Sequence, residues 1–273
     1  MKTTNLLFFI LILTGLSFSS CNDNENNDEG NTGNFGPKNV FTGDLPKTIG
    51  SSTIKYNSDG LLEEIANSYE KVTFEYPAKT ISTNNSKVVT MKVNFLEDPE
   101  DSYSIKLEIG DNGFVNKALQ TYADNSTNTW EFGYNGDGQL NYMKREEGNN
   151  EVTTVTYANG NITGVEMKSD DTDEIYTSSI TYTSETHTNG IENKGCIMEF
   201  DTTLGIDMDE MSYAYYAGLL GRSTKNLPLK RTETYGETRT YTRIFDWTLN
   251  AKGYPTNLRW DDNGYDDNLN FSW

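Results

Sequence analysis

Histidine occurs once in the 273 residues, at His187, which excludes a histidine-rich zinc site and would leave Ser-His-Asp chemistry hanging on one side chain. Cysteine is nearly as scarce, with Cys21 and Cys196 alone, too few for a disulfide framework or a cysteine-based metal centre. A Cys196–His187 nucleophile pair is not demanded by the spacing. His187, in TSETHTNG, reads as a loop residue, and Cys196, in GCIMEF, as a small buried hydrophobe. The chain has no glycine-rich phosphate loop before a helix, no Rossmann unit, no HExxH and no GxSxG. Basic residues are few, 22 against 41 acidic, for a net charge of −19. That balance argues against nucleic acid and anionic headgroups as partners, since both would be repelled.

Long apolar runs are also missing. The one near the N-terminus, Leu6 to Leu16, follows the single charge of Lys2 and leads through small residues to Cys21. It is too short and wrongly flanked to span a bilayer as a helix, so residues 1–20 read as a secretory signal peptide. Phe18-Ser19-Ser20 before Cys21 resembles the lipobox of bacterial lipoproteins, which implies lipidation at Cys21. Residues 22–37, NDNENNDEGNTGNFGP, carry four acidic and no basic side chains, and residues 21–37 are expected to form a lipidated, disordered tether. An acidic tract there also resembles the surface-export signal of Bacteroides-type lipoproteins. The expected location is the outer membrane, lipid-anchored and facing the exterior. With Cys21 acylated, Cys196 is the only thiol left, and no intrachain disulfide can form.

What is abundant is strand chemistry. The chain has 34 threonines and 17 tyrosines, which suit a pleated, half-wet surface. In KVVTMKVNFLE, residues 87–97, Val89, Met91, Val93 and Phe95 share one face while Thr90, Lys92 and Asn94 share the other. SYSIKLEIG and YTRIFDWTL alternate likewise, and VTFEY, TWEFGY, EVTTVTY, EIYTSSITYT, CIMEF, TNLRW and LNFSW are also strand-like. About a dozen strands at short spacing predict an all-β antiparallel meander, barrel-like or strongly curved, as a single domain over residues 38–273. The second faces carry Lys, Thr, Asn and Asp, so such a barrel is expected to stand in water rather than span a bilayer.

One helix is expected near residues 207–221, DMDEMSYAYYAGLLG, with Asp207 and Glu210 spaced as a capping box and Gly221 at its end. Elsewhere the punctuation is a hairpin turn. IKYNSDGLLEEI, residues 54–65, returns as FGYNGDGQLNYM at 132–143, and looser versions occur at LEIGDNGFVNKAL, VTYANGNITGVEM and WTLNAKGYPTNLRW. Each places Asn, Asp and Gly, which tolerate left-handed backbone, between two apolar strand ends. The irregular spacing rules out a solenoid of fixed period.

The segments FTGDLPKTIGSSTIKYNSDGLLEEI (41–65), YANGNITGVE, YAGLLGRSTKNLP (216–228) and WTLNAKGYPTNLRW together resemble a family of Bacteroides-type surface lipoproteins built on domain of unknown function 4595, with a porin-like fold. The resemblance runs from about residue 38 to the C-terminus. It implies an antiparallel, barrel-like β fold with one helix, and it brings no catalytic residues.

The acidic clusters EDPED (97–101), DDTDE (170–174), DMDE (207–210) and DDNGYDD (261–267) do not fit the spacing of a calcium loop and read as solvated loop acids. No metal or cofactor is expected. The aromatics are the better lead. Trp130, Trp247, Trp260, Tyr215 and Tyr216 are candidate ligand contacts, although most sit in phase with apolar neighbours, as core residues do. The reading is a non-catalytic binding module at the cell envelope, anchored to the membrane through its N-terminus, for a glycan, a lipid or a partner protein. A structural or adhesion protein is the alternative, and a carboxylate-based hydrolase the third.

Overall fold

The computed structural model describes residues 35–77, 87–147, 149–172, 175–236, 239–262 and 264–273. Residues 1–34, with the expected signal peptide, the lipidation site Cys21 and most of the tether, lie outside the described residues.

Alternation of apolar and polar side chains is realised as one closed antiparallel barrel. Its strands are β1 (Thr48–Ile49), β2 (Ser52–Tyr56), β3 (Leu62–Ala66), β4 (Glu70–Glu75), β5 (Val88–Phe95), β6 (Tyr103–Ile109), β7 (Val115–Tyr122) and β8 (Thr127–Tyr134). They continue with β9 (Leu140–Glu147), β10 (Asn149–Ala158), β11 (Asn161–Ser169) and β12 (Ile175–Thr181). After an insertion holding the short pair β13 (Ile191–Glu192) and β14 (Asn226–Leu227), β15 (Lys230–Tyr235), β16 (Arg239–Leu249), β17 (Pro255–Asp262) and β18 (Tyr265–Ser272) complete the wall. Each wall strand pairs with its neighbours in sequence, β12 pairs with β15, and β18 returns to β1. Sixteen strands form the wall, where the alternation alone gave about a dozen.

The five repeated motifs turn the chain at one end of the barrel, called here the turn end. Asn57 Oδ1 accepts from the amides of Asp59 and Leu61, both at 3.0 Å. Asn135 does the same for Asp137 and Gln139, and Asn250 for Lys252 and Tyr254. The glycine that follows takes φ of +76° at Gly60, +77° at Gly138 and +85° at Gly253. Each hairpin shifts register by one residue beside its turn, a bulge that tightens the local twist.

A wall of sixteen strands would enclose a wide lumen, and in this molecule the chain fills it. Inward side chains are apolar: Val89, Met91 and Val93 of β5 and Ile105 and Leu107 of β6 are almost wholly buried. Against them packs residues 182–229, a connection far too long to be a simple link between strands. This plug buries Ile197, Met198, Phe200, Leu204, Ile206, Met208, Met211, Tyr215, Leu219 and Leu220. The expected strand CIMEF belongs to it: Cys196–Glu199 is irregular, and Phe200–Leu204 forms a π-type turn. An apolar run surrounded on all sides needs no alternation, so its sequence does not distinguish strand from helix. Within the expected 207–221 helix, a 3-10 turn at Asp209–Met211 leads into one α turn, α1 (Ser212–Tyr216). No capping box forms, and Gly218 and Gly221 adopt φ of +74° and +86° to carry the chain to the turn end.

The turn end is sealed. The amide of Val115 donates to Leu219, that of Arg222 to Gly138 and that of Lys225 to Gly160, so plug backbone continues the pairing of the hairpin tips. Gln139 donates from Nε2 to the carbonyls of Gly160 and Ser223. The N-terminal segment lies against the same end: Phe35 stacks on Tyr76, and a Cβ on Gly218 would sit 2.0 Å from the carbonyl oxygen of Gly36. The opposite end is called the mouth.

Candidate functional site

Plug residues 198–216 cross the mouth without filling it. They leave a cavity of about 390 Å³ against β1 to β3, with Ile49, Ser52 and Ile65 on the wall side. Met198, Phe200, Met208 and Tyr216 supply an apolar floor, and Glu199, Asp201, Asp207 and Asp209 supply carboxylates. A second cavity of about 180 Å³ opens beside it against β11, β12 and β15, lined by Ser178, Glu233 and Tyr235. Asp201 and Asp207 line both.

The carboxylates are placed by specific local structure. Glu199 ends the buried run and accepts a 2.8 Å hydrogen bond from the Tyr216 hydroxyl on α1. Burial pushes its carboxyl up to about 7; the Tyr216 hydrogen bond opposes this and the charge of Asp201 adds to it. Gly205, at φ +69°, turns the plug where a Cβ would meet Ser178 Oγ at 2.4 Å. Asp209 takes φ +42°, a left-handed conformation that a side chain rarely adopts. That geometry sets Asp209 Oδ2 2.5 Å from Arg145 Nη1, while Arg145 Nη2 reaches Asp207 at 3.3 Å and Glu151 at 3.4 Å. Burial raises Asp209 to about 6, with Asp207 adding and Arg145 opposing. Tyr213 donates to Glu70 at the start of β4, which pins α1 to the wall.

Arg231 is 2% exposed and points into the barrel. It donates to the backbone carbonyl of Asp201 and pairs with Glu233 at 2.9 Å, and burial lowers its pKa. Among the described residues, no three His, Cys, Asp or Glu side chains converge closely enough to hold a metal ion. His187 lies in an exposed turn, and Cys196 is buried with its carbonyl accepting from the Tyr215 hydroxyl at 2.6 Å; neither lines the cavities.

Of the aromatics singled out from sequence, Tyr216 alone lines the larger cavity. Trp130 is buried beneath Arg145, whose guanidinium carbon is 5.3 Å from the ring centre. Trp247 is buried and donates to the Pro228 carbonyl, Tyr215 is wholly buried under Phe41 and Phe200, and Trp260 is half-buried on β17. These rings are spread around the interior and do not form one platform. Sequence reasoning passed over Glu199 and Asp201. Their signal was an acid ending an apolar run, CIMEF, an unusual place for a charge unless it faces a cavity.

Charged pairs stand on the outside of the wall. Lys55 and Lys71 flank Glu64 at 2.6 and 2.5 Å, Lys92 meets Glu75, Lys117 meets Glu131, and Arg259 meets Asp266, all on outward faces. A bilayer-spanning wall carries an apolar band about 25 Å tall on that side, and charges at its midplane cost several kcal/mol each.

Residues 44–257 match the family model described as domain of unknown function 4595 with porin-like fold. The chain belongs to this family. Two solved members of the same architecture are described as porin-like proteins. The one from Bacteroides uniformis ATCC 8492 is 18% identical over 81% of this chain and 88% of that chain, with a TM-score of 0.58. The other, from Bacteroides vulgatus ATCC 8482, is 11% identical over 84% of this chain and 98% of that chain, with a TM-score of 0.61. At those identities the likeness is one of fold. No curated protein matches the chain. In this DUF4595 barrel the lumen holds a plug and the outer wall holds ion pairs.

Proposed function

We propose that this DUF4595 protein is a non-catalytic binding module of the cell envelope, held to the outer membrane by lipid on Cys21, and that the mouth cavity receives its ligand. The observation that carries the reading is the 390 Å³ cavity that the plug leaves at one end of the barrel. That volume falls within the range of small-molecule sites, and its mixture of an apolar floor with a few directed polar groups is their usual chemistry.

Two measurements test the reading. Feeding cells a clickable fatty acid labels the wild-type protein and not Cys21→Ser; an unlabelled wild type removes the anchor. Mass spectrometry of small molecules extracted from purified protein, together with a glycan array, finds the ligand; blank results in both remove the binding role.

A further inference from the structure

The two mouth cavities adjoin, with Asp201 and Asp207 in the lining of both, and together make a cleft along the plug. Resting on the binding-module reading, we propose that this cleft takes a linear aliphatic polyamine, with ammonium groups at the carboxylates and methylenes along the apolar floor. The cleft lining holds Glu199, Asp201, Asp207, Asp209 and Glu233, and no Lys, Arg or His. Arg145 engages Asp207 and Asp209 from the wall, and Arg231 engages Glu233 and the backbone carbonyl of Asp201, near enough to feel the charge of the Asp201 side chain. Among the described residues, no ion pair engages the side chains of Glu199 or Asp201, so an ammonium group between the two cavities would meet Asp201 and the Glu199 carboxyl that the Tyr216 hydroxyl holds in place.

Three features select an extended organic cation. The carboxylates are distributed along the cleft and do not converge on a point, so a single metal ion is a poor match. Between them lie Met198, Phe200 and Met208, which a hydrated ion would not contact but a methylene chain would. Tyr213 and Tyr216 lie at the same wall, where aromatic rings favour ammonium groups. The net charge of −19 draws cations toward the molecule before contact.

The test is isothermal titration calorimetry of the full chain with spermidine, and with 1,8-octanediol as an uncharged chain of similar reach. Saturable one-to-one binding of spermidine and none of the diol is expected. Glu199→Gln combined with Asp201→Asn, which keeps the Tyr216 hydrogen-bond acceptor, should weaken it by about tenfold or more, roughly 1.4 kcal/mol. Ser212→Trp, on the cleft wall, should abolish it, with unchanged circular dichroism showing that each variant is folded. Spermidine binding that is absent, or that survives both variants, overturns the proposal. An uncharged ligand whose binding Ser212→Trp removes would overturn the polyamine and leave the binding module standing, whereas no ligand sensitive to Ser212→Trp would overturn both.

Discussion

Arg145 on the barrel wall and Asp209 on the plug meet at 2.5 Å, and that contact ties the plug to the wall across the mouth. Asp207 and Glu151 share the same guanidinium, so Arg145→Met would leave three carboxylates facing one another. Because Asp207 and Asp209 are 49% and 42% exposed, the expected cost at pH 7.5 is about 2 kcal/mol, below the ~3–5 of a sealed pair. It should shrink toward pH 5 as Asp209, raised to about 6, takes up a proton. Urea denaturation at both pH values measures this; an equal loss at both would mean that packing over Trp130 is what Arg145 contributes.

Glu199 makes a second pH prediction. Its folded pKa of about 7 lies above the ordinary 4.5, so the folded state holds a proton that the unfolded state has released between those values. The associated stability is fully present below pH ~4.5 and is lost as pH rises through about 7. Glu199→Gln should therefore be more stable than wild type at pH 8, by up to about 3 kcal/mol, and nearly equal to it at pH 4.5. The carboxyl is partly open to the cavity, which makes that figure an upper value. Thermal melts of the two proteins across this window decide it, and parallel curves would contradict it.

Two turn glycines separate backbone strain from crowding. Gly60 and Gly138 have φ of +76° and +77°, but a Cβ on Gly60 meets nothing within 4 Å, whereas one on Gly138 comes within 3.1 Å of Phe114. Gly60→Ala should cost about 1 kcal/mol from the left-handed conformation alone. Gly138→Ala should cost about 1 kcal/mol more, because Phe114 is buried and has little room to yield. Guanidinium midpoints of the two variants give the difference directly.

The ion-paired outer wall predicts that residues 35–273, expressed alone, remain monodisperse in buffer without detergent. Size-exclusion chromatography with light scattering measures this. A requirement for detergent would mean that the outward faces of β4 to β9 meet lipid, against the placement of Lys71, Lys92, Lys117 and Glu131.

Much of the wall was legible because its physics is local. Alternation in KVVTMKVNFLE marks which side chains face inward, and the Asn side chain in N-x-D-G closes its turn with amides two and four residues on. The plug was not legible, because its conformation is set by contacts with strands far along the chain. Cys196–Met198 is apolar in every direction, and DMDE is half at the surface and half at the cavity, a division that only the surrounding barrel defines. The candidate site was therefore hidden in sequence: most of its carboxylates stand on the plug, and the tryptophans that drew attention do not line the two cavities.

The closure of the barrel carries a kinetic consequence. Its seam is the two-residue β1, where Thr48 faces Ser272 and their hydroxyls meet at 2.8 Å across 224 positions of sequence. Loop-closure entropy makes so distant a pairing slow, and until it forms β2 and β18 present bare edges to solvent. Refolding should therefore end on a late phase that reports the burial of Phe271 beside Trp247. During that interval the chain is most exposed to joining a neighbour's edge in place of its own.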